Sequence, residues 1–207
     1  MARLIGFLSE KGGSGKSSLA HLVAHGLGSL PHVIDAVVVV TDPLDEVHKV
    51  NRRYFVADAR DHARLPALLR KLDQRDDLVV VVDGAAGRVA VDEALGKQAD
   101  LILIPFTGAY QDVERAVRHM DRLPGAVGVP NRWPTHPATK AHANRLLDML
   151  PATRLLTPVP AIARIADLLH PQEYGRAATP LSRPGQSFAL EVLHRMGVHP
   201  FDLKKRA

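Results

Sequence analysis

The 207-residue chain has no cysteine. That absence removes disulfides, thiol nucleophiles and every Cys-ligated metal or iron–sulfur centre. Long apolar runs are missing too: the longest are strand-length, and with 46% hydrophobic and 24% charged residues the balance is that of an ordinary soluble globular protein. The opening MARLIGFLSEKGG carries Arg3 and a short apolar run, then passes into a glycine-rich loop without a small-residue cleavage site. It reads as the first strand of a cytoplasmic protein rather than an export signal. No Pro/Gly/Ser-rich linker, internal repeat or low-complexity tract divides the chain, so one domain over residues 1–207 is expected. Eleven histidines are scattered without metal-ligand spacing and read as surface or core.

Charge is uneven. Residues 1–130 hold 16 Lys/Arg against 17 Asp/Glu, whereas residues 131–207 hold 11 against 5, so the net +5 is carboxy-terminal. A basic side suits a polyanion partner and serves equally as a solubilising surface.

What is present is a repeated alternation. Apolar runs at residues 3–9, 33–41, 78–82 and 101–105 alternate with periodic segments such as SSLAHLVAHGLGSL, LPALLRKLDQ and DVERAVRHMDRL. Near-continuous β-branched strands between amphipathic helices imply an α/β fold, a mostly parallel sheet with helices on both faces. Further strands are expected at residues 54–57, 126–129 and 155–159. Residues 130–137 and 171–185 read as loop, and a last helix as 187–196.

Ligands of such sheets gather beyond the carboxyl ends of the strands. The loop Lys11-Gly12-Gly13-Ser14-Gly15-Lys16-Ser17 follows the first strand and opens a helix. Its glycines let successive N–H groups turn inward on phosphate, and the helix N-terminus adds partial positive charge. Lys16 would reach the β/γ phosphates, the Ser17 hydroxyl would face Mg²⁺, and Ser18 would join Gly12 to Ser17 in binding the nucleotide. A strict P-loop pattern wants glycine where Glu10 stands. Asp83 ends LVVVVD, where a carboxylate can hold the hydration shell of Mg²⁺ or simply cap a turn. Asp42 ends the other valine-rich run and is either an orienting group for water or metal or a turn residue fixed by Pro43.

Lys11 followed by GGSGKS, Asp42-Pro43, Asp83-Gly84 and ALGKQADLILIPFTGAYQDVERA fall in the order of the deviant Walker ATPases. Over nearly its full length the chain resembles the short ParA-type partition ATPases that lack an N-terminal DNA-reading domain. The resemblance implies a P-loop NTPase domain that binds ATP and Mg²⁺ and hydrolyses slowly with partner stimulation. It also implies a homodimer in the ATP state, with Lys11 reaching the partner's nucleotide. Asp42 would act on the hydrolytic water, Asp83 with the Gly84 to Gly87 segment on metal and second switch, and Asn131 on adenine, unless Asn131 is an ordinary turn residue. Implied partners are non-specific DNA and a ParB-like or other cargo adaptor. Candidate DNA contacts are Arg154, Arg164, Arg183, Arg195, Lys204, Lys205 and Arg206, each of which also reads as solvated surface charge.

The sequence departs from the family at Val40, where an acidic residue is frequent, leaving one carboxylate there. Gly-Ala-Ala-Gly replaces the commoner Thr-Pro-Pro-Gly after Asp83, and FTGAYQD replaces a proline-rich stretch. Missing cysteines exclude the nitrogenase iron-protein and cluster-carrier sisters. The tail HPFDLKKRA offers only Phe201 and Leu203 as bulky apolar residues, too little for a MinD-like membrane anchor. A small-molecule kinase or synthetase on the same loop is the other alternative, but no acceptor constellation accompanies it.

Overall fold

Strings of β-branched residues between amphipathic segments fold as their periodicity demands. The structure, a computed structural model, describes residues 1–50, 52–170 and 179–203. Its strands are β1 (Arg3–Phe7), β2 (Asp35–Val40), β3 (Phe55–Asp58), β4 (Leu78–Asp83), β5 (Leu101–Phe106) and β6 (Val127–Pro130). The helices are α1 (Lys16–Leu27), α2 (Leu65–Leu72), α3 (Val89–Gly96), α4 (Tyr110–Arg122), α5 (Pro137–Leu147) and α6 (Thr179–Arg195). All six strands pair in parallel, in the order β3-β2-β4-β1-β5-β6.

Alternation within each strand makes two cores. Val38, Val40, Val79 and Val81 face α1 and α6, while Val37, Val39, Val80 and Val82 face the side covered by α2, α4 and α5. The register then sets the functional edge: Phe7 and Val40 both pair with Asp83. Three strand ends therefore finish in one row, and the segments that leave them are forced together. Thr41 locks this edge, its Oγ1 donating to the Asp83 carbonyl at 2.8 Å and accepting from Ala85 N at 3.0 Å.

The structure corrects three expectations. Residues 155–159 run beside β6 through isolated bridges rather than as a strand. Leu156 N donates to Gly128 O and Val159 N to Pro130 O, but Pro158 has no N–H with which to continue the ladder. Of the expected loop 171–185, residues 171–178 lie outside the described residues and residues 179–185 are already helical: the last helix covers Thr179–Arg195 and carries Pro184 inside it. Pro184-Gly185 reads as a breaker, yet Gly185 is where α6 meets α1: a Cβ on Gly26 would lie 2.0 Å from the Gly185 carbonyl oxygen. Finally, α3 and α5 were not evident from periodicity.

Within α1, His21 is buried, with Nδ1 2.7 Å from Tyr54 Oη and 3.2 Å from Arg52 Nη1. Arg52 has only protons to give, so Nδ1 accepts and the imidazole is neutral. Burial, reinforced by the Arg52 charge, pushes its pKa down from 6.5 to about 3. The unfolded chain binds that proton below 6.5 and the folded chain does not until about 3. Stability is therefore lost as pH falls through this window, by up to about 1.4 kcal/mol per pH unit. Chemical denaturation of the parent and of His21→Gln between pH 7 and pH 4 checks this, with the variant expected to show the flatter profile. Equal slopes would remove His21 as the cause.

Candidate phosphate-binding site

Backbone conformation explains the loop's composition. Gly13 and Gly15 have φ of +84° and +101°, values that L side chains rarely adopt. A Cβ on Gly15 would also lie 2.0 Å from Asn131 Nδ2. Gly15 caps α1 without a side-chain hydrogen bond, so the first N–H groups of the helix remain open to an anion. Lys16 is buried, its Nζ 3.4 Å from the Lys11 carbonyl, which holds the ammonium inside the curl of the loop. Lys11, Gly12 and Gly13 are exposed at its rim.

Two carboxylates, Asp83 and Asp45, face this ammonium and the Ser17 hydroxyl, and a third, Asp42, is close enough to act on both of them. Asp83 is buried, and neither of its oxygens has a hydrogen-bond partner among the described residues. Burial pushes its pKa up to about 7; Asp45 and Asp42 add to the rise, while Ser17 and Lys16 pull against it. Asp45 accepts from Ser17 Oγ at 3.3 Å, and its own pKa is raised by burial first and by Asp42 second. Asp42 accepts from Leu44 N at 3.0 Å, a side-chain turn that directs the chain after β2 back toward the loop. The sequence counts one carboxylate here because Val40 replaces an acid. Asp45 restores the second from the other side of Pro43, and the Asp-Pro-Leu-Asp spacing was its only signal.

Lys11 is paired in the same chain. Its Nζ lies 3.0 Å from Asp112 Oδ1, and Asp112 also accepts from Thr107 Oγ1 at 2.6 Å and Arg115 Nη1 at 3.3 Å. Burial works to raise the Asp112 pKa, but these bonds and the charges of Lys11 and Arg115 outweigh it and leave it lowered. Both Thr107 and Asp112 come from FTGAYQD, the stretch that ends β5 and opens α4. Glu10, standing where the strict loop has glycine, pairs with Arg122 at the end of α4.

Asn131 follows β6 and is buried beneath the loop. Its Nδ2 donates to Ser14 O at 2.9 Å, and Oδ1 accepts from Arg132 N at 2.9 Å. Here it is a clamp on the loop backbone. Of the basic candidates, Arg154 is corrected: its guanidinium binds the carbonyls of Ala126, Met120 and Leu123 at 2.8 to 3.1 Å, so it closes the end of α4 rather than facing a ligand. Arg195 donates to Thr153 O, and Arg164 pairs with Asp167 at 2.8 Å. Arg183 is exposed, as are Lys140 and Arg145 on α5, which the sequence did not single out. Lys204, Lys205 and Arg206 lie outside the described residues. No described helix is long and apolar enough to cross a membrane.

No protein-family model and no curated protein sequence matches the chain. Solved structures do. A ParA family ATPase from Chlorobium tepidum is 19% identical with a TM-score of 0.64, covering 91% of this chain and 98% of that one. An ATP complex of a McdA variant from Cyanothece is 15% identical (TM-score 0.62, 96% and 97%), and MinD of Pyrococcus horikoshii with Mg-ADP is 14% identical (TM-score 0.64, 93% and 96%). The chain has the ParA/MinD fold. The coverage leaves no large part of the chain outside the shared architecture.

Proposed function

We propose that the chain is an ATP-dependent dimeric switch that positions a cargo by binding DNA without sequence preference, with a ParB-like or other adaptor stimulating hydrolysis. The observation that carries the nucleotide part is Asp83. As an anion, a buried carboxylate with neither oxygen in hydrogen-bond geometry, near Ser17 and Lys16 at the mouth of a phosphate loop, is costly, and a hydrated cation sharing the site would relieve that cost. The donor set is all oxygen apart from the lysine, which suits Mg²⁺. Lys16, the loop N–H groups and the Ser14 hydroxyl, also buried without a partner, would hold the phosphates. Ser17 and Asp83, with Asp42 and Asp45 behind them, would hold the metal's hydration shell. Mg²⁺ on the β/γ phosphates would neutralise charge developing during their cleavage. Asp42, half-buried at the edge, would orient the attacking water.

The dimer reading rests on Lys11 at the rim and on Leu44, Val89 and Tyr110, large apolar side chains exposed just after β2, β4 and β5. The DNA reading rests on the carboxy-terminal excess of base and on the exposure of Lys140, Arg145 and Arg183. Co-sedimentation with DNA, with and without Mg-ATP across a salt series, tests both. Binding should require ATP and fall steeply with salt, and Asp42→Ala should prolong it by slowing hydrolysis. DNA binding that ignores ATP, or none at all, would sink the carrier.

A further inference from the structure

Scattered in sequence, two histidines and a glutamate meet outside the phosphate site. Glu46 and His48 stand on the segment that follows Asp42, and His170 follows the 3-10 turn Ile165–Leu168, more than 120 residues further on. His48 Nε2 lies 2.9 Å from Glu46 Oε2, and His170 Nδ1 lies 3.7 Å from the same oxygen. One ligand atom from each of the three residues falls within 4.8 Å of the other two. The two imidazoles approach edge to face at 5.5 Å. Donors bound to a zinc-type ion at 2.0–2.1 Å in a tetrahedron are about 3.3 Å apart. The two measured separations bracket that edge.

The arrangement has a scaffold. Arg52 donates Nε to His48 O at 2.7 Å, Nη2 to Leu169 O at 3.1 Å and Nη1 to Leu168 O. One guanidinium thus ties together the backbones of the two segments that bring the imidazoles, while its Nη1 also reaches the buried His21 and Tyr54. As an ion pair the cluster contributes little: the side chains of Glu46 and His170 are 69% and 66% exposed, and the attraction needs protonated imidazoles. A metal ion uses the lone pairs that neutral imidazoles already offer.

We infer that Glu46, His48 and His170 form a binding site for a divalent transition-metal ion of the zinc class, with three protein ligands and at least one position open to water. Two imidazoles and a carboxylate favour Zn²⁺, Co²⁺ or Ni²⁺ over Mg²⁺, so the site is chemically separate from the one at Ser17 and Asp83. It adjoins that site through Asp45, which neighbours Glu46 in the chain and accepts from Ser17 Oγ.

Metal-free full-length chain without a histidine tag is titrated with Zn²⁺ against a chromogenic chelator, and with Co²⁺ followed by its visible absorption. One equivalent should bind, and His48→Ala or His170→Ala should weaken it at least tenfold. His142→Ala, exposed on α5, should leave it unchanged and controls for surface histidines. Zn²⁺ should raise the melting temperature of the parent and of His142→Ala but not of the two site variants. Absence of stoichiometric binding, or binding that survives both site variants, overturns the site. Matched melting temperatures of the metal-free proteins exclude misfolding as the cause of any loss.

Discussion

Lys16→Ala is expected to lower ATP affinity by about 100-fold or more while leaving the fold intact. The ammonium is buried inside the loop and held by one long hydrogen bond to the Lys11 carbonyl. Little is lost from the unliganded protein when it goes. In the nucleotide complex the same group would sit between β and γ oxygens, and charge-assisted hydrogen bonds contribute about 1.5–3 kcal/mol each. Two of them correspond to a change of about two orders of magnitude in Kd or more. Removing the cation would also leave Asp83 and Asp45 near the phosphates with less compensation, since Lys16 lowers the pKa of both. Calorimetry with Mg-ATP, beside thermal unfolding of the free proteins, separates the two effects. Affinity within threefold of the parent would show that the phosphates are held elsewhere.

Local chemistry was legible in the sequence wherever neighbours in the chain do the work. Glycines at positive φ, a lysine at the helix start and valine runs ending in Asp42 and Asp83 all declare themselves within a few residues. So did the parallel α/β fold, because buried strands and amphipathic helices have different periods. What stayed hidden depends on distant pairs. Nothing near Asp112 says that Lys11, 101 residues away, will meet it. Asn131 looks like a turn residue until Ser14 is placed above it. Arg154 looks like free charge until the end of α4 is folded around it, and His48 and His170 look unrelated until Arg52 joins their segments. Three helices failed for another reason: α3 buries Asp92 beside Leu95 and leaves Val89 exposed, so its apolar residues do not mark its inner face, α5 opens on Pro137, and α6 contains a Pro-Gly pair whose use is close contact with Gly26.

Lys11→Ala should separate nucleotide binding from dimerisation. In the free chain the Lys11 side chain is 53% exposed and its partner Asp112 is 13% exposed. Asp112 keeps Thr107 and Arg115 when Lys11 leaves, so breaking the pair strands no buried charge. An exposed pair of this kind contributes about 0–1 kcal/mol, a small barrier to transferring the ammonium onto a second molecule's phosphates. The loop does not use the Lys11 side chain to hold its own shape. Gly13, Gly15 and the Asn131 clamp do that, and the Lys11 atom that Lys16 touches is a backbone carbonyl that alanine retains. The variant is therefore expected to fold with stability within about 1 kcal/mol of the parent and to bind Mg-ATP within a few-fold. It should remain a monomer at concentrations where the parent, in an Asp42→Ala background that preserves ATP, is a dimer. Light scattering with and without Mg-ATP reads the difference directly. A Lys11→Ala chain that dimerises with ATP as the parent does would leave Lys11 as a partner of Asp112 and nothing more, and the proposed cross-dimer contact would have to come from another residue at the rim.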